Sequence, residues 1–210
     1  MASLTDLALG LVTLHLLRRL PRDADASRYW RAMFAGAAVT ALVGAVYHGV
    51  VVGVTGVSSV SWAVMSCMVV VVMSFLLAAS VVDILGRSRG VVFWPLRAVG
   101  LLAYAAIAAT GHPSITAILW CESLTMASVI ALWIWAWTRQ HPAGRRMLVA
   151  IGVSIAAAML RLVPGAAAAV GLDPDSAYHL GQIAGMVLLF YAVAGTPARR
   201  GAGHRETHAA

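Results

Sequence analysis

Apolar residues along this chain gather in long, nearly unbroken runs separated by short polar breaks, not in the alternating or one-sided patterns of strands and surface helices. A hydrocarbon core of roughly 30 Å needs about 20 apolar helical residues, and seven runs approach that length. They are Leu4 to Leu20, Arg31 to Gly53, Ser58 to Leu85, Val91 to Ala109, Ile115 to Thr138, Met147 to Val170 and Ala177 to Gly195. A helix satisfies its own backbone groups inside lipid. The pattern therefore predicts an all-α polytopic membrane protein, a seven-transmembrane-helix bundle. Residues 1–195 form its single domain, and the polar stretch 196–210 is expected to be a disordered cytoplasmic tail.

Composition narrows the class further. Of 210 residues, 61% are hydrophobic and 11% charged, and the mean hydropathy is +0.85. A soluble domain carries about a quarter charged residues, so an ordinary water-soluble fold is excluded. All 15 basic residues are arginine, and without a lysine no retinal Schiff base can form. Cys67 and Cys121 fall inside apolar runs and are expected to pack there, not to build a disulfide framework. No Gly-rich phosphate loop and no Gly-x-Ser-x-Gly elbow occurs. ATP-driven transport and soluble-type serine hydrolysis are thereby disfavoured.

The formal charge of +7 would suggest nucleic acid in a soluble chain, but its distribution says otherwise. Thirteen of the fifteen arginines follow the first, third and fifth runs or lie in the tail, and the breaks at 53–58, 110–114 and 171–176 hold none. By the positive-inside rule the N-terminus is outside and the C-terminus cytoplasmic, in a multi-pass protein of the plasma (inner) membrane. The charge then faces anionic lipid, so membrane lipids are the expected partners and nucleic acid is not. Ala24-Asp25-Ala26 resembles a signal-peptidase site, but Arg18, Arg19 and Arg22 follow the apolar run where a signal has its charges in front. The first run is read as a retained helix. Tyr29, Trp30, Trp94, Trp133, Trp135 and Trp137 are expected in an inner aromatic belt, and Tyr47, Trp62, Trp120 and Tyr178 in an outer one.

Ionisable side chains at membrane depth cost at least ~2.5 kcal/mol each on insertion scales, so those present are expected to face protein. His15, Asp83 and Arg97 lie near inner ends or reach them by snorkelling. Five others collect in the outer half. At 1.5 Å per residue, Asp6 is within roughly one turn of the outer edge, His48 roughly 8 Å down, Glu122 about 10 Å, Arg161 about 14 Å and His179 similarly shallow to His48. The stripe Gly36, Thr40, Gly44, His48 points His48 at a neighbouring helix. His179 and Gln182 share a face, and Ser59 opens the third helix toward the same cavity. Asp6, Ser59 and Gln182 are accordingly expected to line a pocket. Structural alternatives stand beside this: a Glu122–Arg161 ion pair, histidines hydrogen-bonding across helices, and Asp6 as a first-turn acid complementing the helix dipole.

A histidine near the outer end of helix two, polar residues opening helix three and a histidine starting helix seven resemble the CREST superfamily, which includes alkaline ceramidases and the progestin and adipoQ receptor family. That family pattern is Ser-x-x-x-His in helix two, an aspartate about eleven residues later, and His-x-x-x-His in helix seven. His48 and His179 match two zinc-ligating histidines, whereas Gly44, Ser59 and Ile183 stand at the serine, aspartate and third-histidine positions. The resemblance implies a metal-dependent intramembrane hydrolase of lipid amides or esters, with zinc on His48 and His179. Glu122 or Asp6 would then complete the ligand set, and Glu122 and Arg161 would serve catalysis as water-activating base and as stabiliser of developing negative charge. The alternative is a non-enzymatic bundle, a small-solute carrier, ligand receptor or complex subunit, using the same cluster as a pocket or polar network. A further alternative is haem held between His48 and His179.

Overall fold

A computed structural model describes residues 2–22, 26–53, 58–87, 97–98, 101–102, 105–106, 115–163 and 165–195. These residues are all-helical. The α-helices are α1 (Ala2–Arg19), α2 (Ser27–Gly49), α3 (Ser58–Leu85), α4 (Ile115–Thr138), α5 (Gly144–Leu162) and α6 (Pro174–Ala194), with short 3-10 turns at Val51–Gly53 and Ala168–Val170. The expected run from Val91 to Ala109 lies largely outside the described residues, and the expected tail wholly so. Three helical stretches, Ser27–Gly49, Val64–Leu85 and Pro174–Ala194, are long and apolar enough to cross a membrane. The chain is thus a helical membrane protein.

Local chemistry sets where the helices stop. At the start of α6 the Asp173 side chain accepts the Ser176 amide at 2.9 Å and the Ser176 hydroxyl at 2.6 Å, with Pro174 next in the chain. An N-cap acid followed by proline is a strong start signal. These two bonds from Ser176 hold the Asp173 carboxyl below the usual carboxylate range. The end of α5 corrects an expectation. The run to Val170 breaks at Leu162, because Val163 is extended (φ −87°, ψ 114°) ahead of Pro164 and Gly165 follows at φ +79°. A residue before proline avoids the helical region, and proline has no N–H to continue the ladder. Arg161 therefore belongs to a last turn and not to the middle of a span.

Close helix pairs form where side chains are small. An added Cβ at Gly10 would come within 2.7 Å of Leu42, and one at Gly44 within 3.0 Å of the Asp6 carboxylate. Gly181 and Gly185 of α6 lie as tightly against Ala157 and Ser154 of α5. The Gly36–His48 stripe divides between two neighbours: Gly36 abuts Val72 of α3, whereas Gly44 abuts Asp6 of α1. Eight residues advance a helix by about 80° beyond two full turns, enough to change the facing partner.

The apolar core sits where α1, α3, α4 and α6 end and α2 and α5 begin. Trp30, Phe34, Val81, Val129, Trp133 and Met147 are buried there. The indole Trp30 Nε1–H donates to Asp83 Oδ2 (3.2 Å) and Trp133 Nε1–H to Ser80 Oγ (3.0 Å). Tyr29, Trp30 and Trp133 are thus core residues, not members of an aromatic belt; Trp135 and Trp137 are exposed as a belt requires. The side chains of Trp62, Trp94, Trp120 and Cys121 lie outside the described residues. Cys67 is exposed on α3, contrary to the packing role expected of it.

Candidate functional site

The end opposite the apolar core is where α1 and α6 begin and α2 finishes, and polar side chains are buried there: Asp6, Ser176 and His179. Asp6 is only 5% exposed. It can approach α2 so closely because position 44 is glycine, whose missing Cβ leaves the carboxylate its space. Ser3 fixes the same helix pair, its hydroxyl donating to the Ala45 carbonyl at 2.7 Å.

Two imidazoles from different helices face this carboxylate. His179 Nε2 is 3.2 Å from Asp6 Oδ1, and His48 Nε2 is 3.8 Å from Asp6 Oδ2. The other ring nitrogen of His179, Nδ1, lies 3.0 Å from the Thr5 hydroxyl. Consecutive residues of α1 therefore engage both nitrogens of one imidazole. His179 is buried and His48 half-buried. Asp6 Oδ2 is sealed from solvent and accepts no hydrogen bond among the described residues. A buried acceptor in that condition is under-satisfied.

The expected site divides on inspection. His48, His179 and Asp6 come together. Arg161 does not join Glu122 in an ion pair: its Nε is 2.9 Å from Asp175 Oδ1, with the guanidinium 5.7 Å from the centre of the Tyr178 ring. The reason is the shortened α5, which puts Arg161 on the rim beside the first turn of α6. Gln182 does not line a pocket with His179; its Nε2 donates to the Ser154 carbonyl at 3.1 Å and ties α6 to α5. Glu122 is half-buried in α4. Ser59 opens α3, but its side chain lies outside the described residues. Thr5 was not expected, although its place beside Asp6 near the start of the first run was a usable signal.

The donor set of His48, His179 and Asp6 has the chemistry of a zinc site, and the under-satisfied Oδ2 is the atom a cation would seek. Its arrangement is not that of one: among the described residues no group of three or more His, Cys, Asp or Glu side chains is set to hold a metal ion. The imidazole centroids are 6.3 Å apart and both rings turn their Nε2 to the carboxylate. That carboxylate occupies the space a macrocycle would need, so a haem between the two histidines does not fit. What the geometry offers is acid–base chemistry. With Nε2 facing the Asp6 carboxyl and Nδ1 facing the Thr5 hydroxyl, the ring can pass a proton from one side to the other, and in the tautomer with its hydrogen on Nε2 the Nδ1 lone pair is a base.

One family model, for DUF6962, a family of unknown function, matches residues 1–197. No curated protein and no solved structure matches the chain.

Proposed function

The chain belongs to the DUF6962 family, and we propose that it is a seven-span plasma (inner) membrane protein that hydrolyses lipid amides or esters near the outer leaflet, with His179 as its base. The carrying observation is the buried Asp6 carboxylate facing the Nε2 atoms of His179 and His48. An imidazole oriented by a carboxylate is the common device for taking a proton from an attacking oxygen. The resemblance to membrane hydrolases in the placement of His48 and His179 adds support, without the zinc. The residues present do not fit a preformed metal centre, so no step is routed through one.

Helix direction supports the seven-span topology. Trp133 of α4 meets Ser80 of α3, each toward the end of its helix, so these helices run the same way. The apolar run Val91 to Ala109, between them in the sequence, is long enough for a further span. The arginine distribution supports the N-terminus outside, which assigns the histidine end to the outer leaflet.

The test is reconstitution of the purified chain in vesicles holding ester- and amide-linked lipids, with free fatty acid as the readout. The expected result is release that survives chelators and disappears in His179→Gln. Absence of release from the unmodified chain across both linkages would remove the hydrolase reading. The polar ties at Gln182–Ser154 and Arg161–Asp175 favour the second reading, a non-enzymatic carrier, receptor or complex subunit whose polar groups join helices. Under that reading His179→Gln lowers thermal stability while no lipid is cleaved.

A further inference from the structure

We infer that the Thr5 hydroxyl is a nucleophile, completing a Thr5–His179–Asp6 relay that forms an acyl-enzyme with an ester or amide of an outer-leaflet lipid. This rests on the hydrolase reading and goes beyond it, since a base alone would activate water directly. Three side chains lie in hydrogen-bonded sequence: Thr5 Oγ1 3.0 Å from His179 Nδ1, and His179 Nε2 3.2 Å from Asp6 Oδ1. Nucleophile to base to orienting acid is the arrangement that activates an alcohol, recognised by geometry and not by chain order.

The bland account of Thr5 is local. A helical threonine commonly satisfies its hydroxyl on a carbonyl three or four residues back, and Thr5 Oγ1 is 2.9 Å from the Ala2 carbonyl. That contact leaves His179 Nδ1 within hydrogen-bond reach of the same hydroxyl, beside the Ala2 carbonyl that also bonds to the imidazole. Rotation about the threonine C–O bond moves the hydrogen from Ala2 to Nδ1. Thr5 is half-buried, not sealed, and its neighbour Leu4 is 72% exposed. An acyl chain lying along α1 therefore has access to this turn.

The chemistry balances with water as the co-reactant. Thr5 Oγ1 attacks the acyl carbon as its proton passes to Nδ1, and Asp6 steadies the imidazolium formed. Collapse of the tetrahedral adduct breaks the acyl–oxygen or acyl–nitrogen bond, and the alcohol or amine leaves with the proton from Nδ1. Water then attacks the Thr5 ester, gives one proton to Nδ1, and frees the fatty acid as Thr5 recovers its hydrogen. His48 faces the far carboxylate oxygen and acts as a positioning residue for Asp6.

The test uses the full chain in vesicles, treated with a long-chain alkyl fluorophosphonate and mapped by peptide mass spectrometry, in parallel with fatty-acid release. The expected result is a phosphonyl adduct on Thr5, absent in His179→Gln and kept at position 5 in Thr5→Ser. Release should fall on the order of 10³-fold in Thr5→Val and survive in Thr5→Ser. Release from Thr5→Val within about twofold of the unmodified chain, with no adduct on Thr5, overturns the nucleophile while the hydrolase reading stands. Absence of both adduct and release in the unmodified chain overturns both, whereas an adduct on Thr5 without release shows a nucleophilic hydroxyl but removes the lipid hydrolysis it is inferred to serve. If Thr5→Val fails to fold, adduct mapping on the unmodified chain and on Thr5→Ser decides alone.

Discussion

The two ends of this bundle bury different things. Where the arginines gather, the buried side chains are large and apolar, and the buried indole N–H groups among them are bonded, Trp133 to Ser80 and Trp30 to Asp83. At the other end the buried groups include Asp6, Ser176 and His179, with glycine at 44 where a larger residue would fill space, and one oxygen of Asp6 accepts no hydrogen bond among the described residues. A close-packed apolar end favours one packed state. An under-satisfied polar end is what a protein keeps when the groups are needed for something other than packing. Under the proposed function, stability and chemistry are separated along the helix axis, and substitutions should separate them too.

The largest break should come from Trp133→Ala. Removing a fully buried indole empties the core and withdraws the donor from Ser80, at a cost of about 3–5 kcal/mol. Thermal unfolding in detergent should register this, while fatty-acid release per folded molecule stays unchanged; a matching loss of release would show that the two ends are coupled. Gly44→Ala should invert that pattern. The new methyl sits 3.0 Å from Asp6 Oδ2, so a destabilisation of about 1–3 kcal/mol should accompany a loss of release larger than the fall in folded fraction explains.

Asp173→Ala tests the start of α6 without touching the relay. Losing the cap should cost about 1 kcal/mol. Because Ser176 holds the Asp173 carboxyl low, its contribution is full above the free-carboxyl value near 4 and is lost as pH falls through the lower folded value. Unfolding curves of the unmodified chain and the variant should therefore converge in acid. The smallest effect is expected from Gln182→Leu, which gives up the bond to Ser154, worth about 0.6 kcal/mol on average between membrane helices, with release unaffected.

Much of this was legible in the apolar runs, because a membrane helix advertises its length in hydropathy alone. The boundary that failed, at Leu162, failed where a single proline outweighs the surrounding apolar residues. That error carried into the site. Depth counted along an overlong helix put Arg161 level with Glu122, and only the true end of α5 hands it to Asp175. The meeting of Asp6, His48 and His179 survived because each lies near a helix end, where small errors in length change depth little. Rotation about the axis was harder to read. Gln182 shares a nominal face with His179 yet turns to α5, and Trp30 and Trp133 turn inward from positions that composition assigns to a lipid interface. Which neighbour a face meets is a tertiary fact, absent from any one helix.

The bare backbone at Gly44 has a consequence for how this chain can vary over generations. Every amino-acid substitution there adds at least a methyl beside Asp6, so a library of all substitutions at that position should contain no neutral neighbours under selection for activity. Under selection for membrane insertion alone the same library should tolerate alanine and serine. The gap between the two tolerance profiles is a hereditary signature of use, readable before any substrate is known.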